Sequence, residues 1–219
     1  MRWDGERLRH SAGDLATYLG SEFAAWMDRF WLERERGRAG ALPVSRPVAA
    51  GAVRDLPLFA GAPREAAVDC APQTPDADAR MLLDRGQAHE RAVLERLCAA
   101  GHVVTAIAPG AGAALTTRQA VAAGAAVIYQ AHLDDEDFEC RADFLFRTDL
   151  ESGGFMYEPG DAKLARALKP EHVVQLCLYA RLLAGLQGTR PRHARVLLGD
   201  GRDERVDLHQ YAHYVDRLI

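Results

Sequence analysis

Hydrophobic positions near the start of the chain recur at helical spacing. Leu15, Tyr18, Leu19, Phe23, Trp26, Met27, Phe30 and Trp31 share one face of a helix expected over 11–33, opened by Ser11 with Asp14 as its capping-box partner. Such an aromatic face predicts core packing, with base stacking by Trp26 and Trp31 as the alternative if they are exposed. Residues 34–76 lose the period and are rich in Arg, Gly, Ala and Pro. They predict an irregular connection with at most one short strand, near Leu56, Leu58 and Phe59.

Periodicity returns with a helix expected to run to residue 100. Asp76 or Asp78 is its N-cap, Leu82, Leu83, Val93, Leu94 and Leu97 face inward, and Gly101 ends it in the left-handed conformation. A strand follows at 103–107, then a short helix at 116–123 capped by Thr116 or Thr117. Strands are predicted at 126–133, 139–147 and 155–163, the last two joined by the turn at 149–154. A helix from Pro170, with proline in the first turn, runs to Gln187 before Gly188. Strands at 194–198 and 204–208, separated by a turn at 199–202, precede a last helical stretch. This order predicts an α/β fold, a mixed β-sheet flanked by helices, with residues 1–76 as an N-terminal extension packed on a core of 77–219.

Composition narrows the picture. A chain of 219 residues, 48% hydrophobic and 26% charged, is large enough for one domain with a substantial core. No apolar run approaches the ~20 residues needed to cross a bilayer, and residues 1–15 lack a secretory h-region, so the expectation is a cytoplasmic protein with no membrane partner. Cys70, Cys98, Cys140 and Cys177 form no CxxC pair and read as buried small hydrophobes. A formal net charge of -4 carries no global signal for nucleic acid, so any such contact must be local. Of 27 basic residues only Lys163 and Lys169 are lysine, and there is no Asn, a bias we ascribe to GC-rich coding. A lysine kept against that bias marks a position that needs a compact ammonium.

Lys163 has a partner at the right spacing. Asp161 and Lys163 stand two apart at the end of a predicted strand, so both side chains leave on one face. Asp143, in the preceding strand, comes beside Asp161 if the two strands pair as a hairpin. Two carboxylates can chelate a hard cation, with water and a backbone carbonyl such as that of Ala162 completing the sphere. His89, on the helix before the sheet, could add a nitrogen and tilt the preference from magnesium towards manganese. Arg166 and Lys169, just past the strand, offer a local phosphate-attracting patch. The acidic run Asp134, Asp135, Glu136, Asp137 reads as a solvated turn. His102, His132, His172, His193, His209 and His213 show no zinc spacing and read as structural.

The segments GQAHE (86–90), RADFL (141–145), GDAKLA (160–165) and QLCLYA (175–180) resemble, in that order, the four motifs of RecB-like nucleases of the PD-(D/E)XK superfamily. The resemblance is to bacterial RecB-family nucleases related to the CRISPR-associated exonuclease, and is concentrated after residue 80. It implies a restriction-endonuclease-like core, His89, Asp143 and Asp161 as metal ligands, Lys163 as the catalytic lysine, Glu90 in support, and Gln175 with Tyr179 as an accessory pair. Implied too are Mg²⁺ or Mn²⁺ as cofactor and DNA, single-stranded at its ends, as substrate, in repair, recombination or CRISPR-like processing. Relatives of the CRISPR-associated type frame an iron–sulfur cluster with cysteines that have no counterpart here, so no cluster is expected. The helical pattern is still running at Ile219, and a C-terminal RNase-H-like domain or a helicase is an expected partner. Rival expectations are a catalytically weak DNA-binding module and a metal-dependent hydrolase of small phosphoesters.

Overall fold

A computed structural model of the chain describes residues 1–4, 7–38 and 76–218. Most of the connection expected over 34–76, with its short strand and Cys70, lies outside the described residues. Strands β1 (Arg2–Trp3) and β2 (Leu8–Arg9) pair antiparallel. The helix expected over 11–33 is two helices, α1 (Ala12–Gly20) and α2 (Glu22–Arg38). Ser21 causes the break: its backbone is extended (φ -164°) and its Oγ accepts from Ala24 N at 3.2 Å, so one residue ends α1 and caps α2. At the start of α1, Ser11 and Asp14 make both hydrogen bonds of the capping box.

α3 (Ala77–Ala99) is N-capped by Asp76, whose carboxylate accepts from Ala79 N at 2.8 Å. Next come β3 (Val104–Ala106), α4 (Ala113–Ala122), β4 (Val127–Asp134), β5 (Glu139–Asp149), β6 (Phe155–Lys163), α5 (Pro170–Gln187), β7 (His193–Leu198), β8 (Asp203–Asp207) and α6 (His209–Val215). α4 starts earlier than expected, and neither threonine caps it. Thr117 is buried and its Oγ1 accepts from His132 N of β4, while the Thr116 hydroxyl bonds back to Gly112 O. α5 ends at Gly188 with φ 74°.

The larger sheet has six strands in the order β3-β4-β5-β6-β7-β8, parallel between β3 and β4 and between β6 and β7, antiparallel elsewhere. Helices cover both faces, so the architecture is α/β with a mixed sheet flanked by helices. On one face Val93 and Leu97 of α3 pack with Val127, Phe144, Phe146 and Leu197. On the other, Leu176, Cys177, Ala180 and Leu183 of α5 pack with Ile128, Leu133, Leu145 and Val196, joined by Ala12 and Leu15 of α1. The N-terminal segment thus shares the main core, and it is tied to the β4–β5 turn by His10 N→Asp137 O (2.9 Å) and Glu139 N→His10 O (2.8 Å).

Several residues expected inside stand outside. Phe23 is 67% exposed and Trp26 47%, with Tyr18 and Phe30 also exposed. Phe23, Trp26 and Phe30 stack on one another along α2 and not in the core. Leu82 and Leu83 are exposed because α3 is buried against the sheet only later, at Val93 and Leu97. Cys98 is exposed, whereas Cys140 and Cys177 are buried.

One irregularity positions the site. Along β4, Ile128, Ala131 and Leu133 lie in one apolar cluster, and along β5 so do Cys140, Ala142 and Leu145, so the period-2 alternation slips by one residue in both strands. The slip falls between the pairs Tyr129↔Phe144 and Ala131↔Ala142, at Gln130 and Asp143. Gln130 has φ 58°, the one positive value at a non-glycine among the described residues.

Candidate active site

β5 and β6 are paired as far as Phe144↔Gly160, and the candidate residues gather just beyond. Close approach of the two strands requires Gly160: a Cβ there would lie 2.4 Å from the Phe146 ring. Past this point the Asp143 carboxylate takes over the ladder's role and accepts from Ala162 N at 2.9 Å. The neighbouring Asp161 is 1% exposed. Lys163 follows on the same face of β6, its Nζ 2.7 Å from Asp161 Oδ2. The ammonium is thus the ion-pair partner of that buried oxygen.

α5 supplies the second half. Gln175 and Tyr179, one turn apart, face the strand end together. The Gln175 Oε1 accepts from Lys163 Nζ at 3.0 Å, and its Nε2 donates to Asp161 Oδ1 at 3.2 Å and to Tyr179 Oη at 2.6 Å. These partners fix which way the amide points, since only its oxygen can accept from an ammonium. The Tyr179 hydroxyl in turn donates to Arg141 O at 3.1 Å. Burial, followed by the charges of Asp161 and Asp143, holds the Tyr179 phenol well above its ordinary pKa, so it stays a donor.

α3 brings Glu90 and His89, which part company. His89 Nε2 lies 3.0 Å from Leu197 O on β7. Donation of that N–H to a carbonyl leaves Nδ1 as the nitrogen with a free lone pair, the tautomer a metal-ligating histidine adopts when the backbone orients it. Glu90 is the side chain that stands in the field of the carboxylates. It accepts from the Gln130 amide, whose unusual backbone conformation lies directly opposite Asp143. Burial, a hydrogen bond to Glu90 and the charges of Glu90 and Asp143 push the Tyr129 phenol up to about 12. The Asp143 carboxyl is raised well above its usual range by burial, then by Asp161 and Glu90, and the Ala162 N–H and Lys163 oppose this without cancelling it.

The structure therefore gathers Asp143, Asp161, Lys163, Gln175 and Tyr179, with Glu90 nearby. Among the described residues no three or more His, Cys, Asp or Glu side chains stand together as a metal-holding group. Fully ionised, Glu90, Asp143 and Asp161 outweigh the one ammonium of Lys163, and a divalent cation would balance the difference. Asp143 and Asp161 are the carboxylates that could meet such a partner, and magnesium commonly takes only one or two carboxylates with water and phosphate. Arg166 and Lys169 lie exposed on the connection from β6 to α5. Lys169 pairs with Glu171 at 3.7 Å, and neither joins the cluster. His172 instead caps α5, its Nδ1 accepting from Lys169 N at 3.2 Å, and burial and then Lys163 lower its pKa.

A cleft of about 960 Å³ opens beside the cluster and reaches it through Gln175, Tyr179 and Arg141. A second depression of about 470 Å³ is lined by Glu90, Tyr129, Gln130 and Arg141. Gln130, Tyr129 and Arg141 are the parts that sequence reasoning passed over. Only Arg141 carried a signal, as the first residue of the RADFL segment. No protein-family model matches the chain, and no curated protein matches it. Among the described residues, no helix is long and apolar enough to cross a membrane.

Proposed function

We propose that this chain is a metal-dependent deoxyribonuclease with a restriction-endonuclease-like core of the RecB-like kind. The observation that carries the reading is the buried Asp161 carboxylate, held by Lys163 on one oxygen and Gln175 on the other, beside the half-buried Asp143. Asp143 and Asp161 are the carboxylates to hold the ion, with the Ala162 carbonyl and His89 as further donors. Magnesium or manganese, when bound, supplies Lewis acidity at a phosphodiester and a more acidic water. Lys163 presents an ammonium to the charge that develops on the phosphoryl oxygens, and at a partly buried position such a contact is stronger than in open water. Gln175 keeps Lys163 and Asp161 at fixed separation, and Tyr179 fixes Gln175. Arg166 and Lys169, both exposed, are positioned for outer contacts with the substrate backbone. Single-stranded ends are the proposed substrate.

The test is degradation of end-labelled single- and double-stranded DNA with Mn²⁺, Mg²⁺ or EDTA by the intact chain, Asp143→Ala and Asp161→Ala. The expected result is cleavage with either metal, none in EDTA, and loss in both variants. One observation favours a second reading, a catalytically weak DNA-binding module: among the described residues no three His, Cys, Asp or Glu side chains stand together as a metal-holding group. DNA binding without cleavage under every condition would decide for it.

A further inference from the structure

Resting on the nuclease reading above, we infer that Arg141 is the residue that grips the backbone phosphate of the nucleic-acid strand and holds it across the active site. Arg141 stands on β5 two residues before Asp143 and is exposed. Its main chain is locked, because its carbonyl accepts from the buried Tyr179 hydroxyl, itself bonded to Gln175. Its guanidinium is nearly free. Among the described residues its one hydrogen bond is a long one from Nη2 to Ile107 O, at 3.4 Å, and it makes no ion pair with a carboxylate. The other arginines of the six-stranded sheet are all paired: Arg147 with Asp149 at 2.8 Å, Arg205 with Glu158 at 2.6 Å, and Arg195 with Asp203.

Location gives this free charge a use. The 960 Å³ cleft and the 470 Å³ depression adjoin, sharing Arg141 and Pro109 as lining. One contains Gln175 and Tyr179, the other Glu90 and Gln130, so Arg141 stands on the divide between the two sides of the cluster. Arg2 and Arg9 also line the larger cleft, but Arg2 is spent on Glu139, and Arg9 on Asp4 at 3.5 Å and Asp134 at 3.6 Å. What this junction recognises is a mobile anion with a planar array of acceptors, and a phosphodiester matches the guanidinium fork. A strand crossing the divide would leave a nucleotide on either side, in depressions of the size that small ligands occupy. Arg141 thereby sets the register of the strand without taking part in the chemistry, a positioning residue whose loss weakens binding alike for every base sequence.

The experiment measures anisotropy of a dye-labelled single strand titrated with the intact chain, Arg141→Gln and Arg141→Lys, in EDTA over a range of salt concentrations. Removing one phosphate contact should weaken binding of unrelated sequences equally and flatten the log–log salt slope by about 0.7. Arg141→Lys should restore the slope while recovering only part of the affinity, since an ammonium keeps the charge but not the fork. An unchanged slope and affinity in Arg141→Gln, or an intact chain that binds no strand, would overturn the inference. Because no metal is present, the result is independent of cleavage. Absence of metal-dependent cleavage by the intact chain would remove the nuclease reading and still leave the Arg141 comparison readable.

Discussion

Gln175 is hydrogen-bonded to Lys163, Asp161 and Tyr179 at once, so its effect on the site exceeds that of any single contact it makes. Gln175→Ala should keep the fold and lower the metal-dependent cleavage rate by about 10–100-fold, the usual cost of losing a group that orients others in a metal site. Steady-state rates at saturating metal would check it, and a rate within twofold of the intact chain would show that Lys163 and Asp161 need no positioning. Much of this residue-level arrangement was legible, because fixed periods carried it. Asp161 and Lys163 share a face through the period of two, and Gln175 and Tyr179 share one through the helical turn. Glu90 and Gln130 were not legible in the same way. Which of two adjacent helical residues turns to the carboxylates depends on the rotation of α3 about its axis, and a left-handed backbone at a glutamine leaves no trace in the sequence.

At the scale of elements, strands and caps were read well and faces less so. β6 and α5 fall on their predicted bounds because turn residues and proline punctuate them. The aromatic stripe of α2 has the right period, but periodicity gives a face and not what covers it, and these rings are stacked in the open. Leu82 and Leu83 went astray for the same reason, on a part of α3 that runs ahead of the sheet. The cap of α1 makes a quantitative expectation possible. Burial alone would raise the Asp14 carboxyl, but hydrogen bonds from the chain's N-terminal ammonium and from Ser11 outweigh it and hold the pKa below the ordinary aspartate value. A folded-state pKa below the unfolded one contributes stability above the unfolded value of about 3.9 and loses it as pH falls through the lower, folded value. Urea unfolding of the intact chain and Asp14→Asn should therefore differ fully near neutrality, begin to converge only below about pH 4, and meet once the pH is below the folded-state value. A difference independent of pH would mean that the carboxylate's charge does not stabilise the cap.

The whole molecule joins these scales through the place where its two layers of helices reach one strand end. α3 delivers Glu90 and His89 from one face, α5 delivers Gln175 and Tyr179 from the other, and the pairing of β5 with β6 ends between them at the half-buried Asp143 and the buried Asp161. The α/β class and the order of the elements from α3 onward were readable from the chain, whereas the end of pairing between β5 and β6 coincides with the paired slip at Gln130 and Asp143, a tertiary feature. On the proposed nuclease reading, a site built this way would separate metal binding from chemistry, with the carboxylates serving the first and Lys163 the second. The most direct test is to compare the intact chain with Lys163→Met in one Mn²⁺ titration, following thermal unfolding and cleavage of an end-labelled single strand in parallel. The account predicts that Mn²⁺ raises the melting temperature of both proteins, because an ion that binds only the folded state stabilises it, while Lys163→Met loses cleavage by at least about 10²-fold. Undiminished cleavage by Lys163→Met, or cleavage by the intact chain that persists in EDTA, would contradict it.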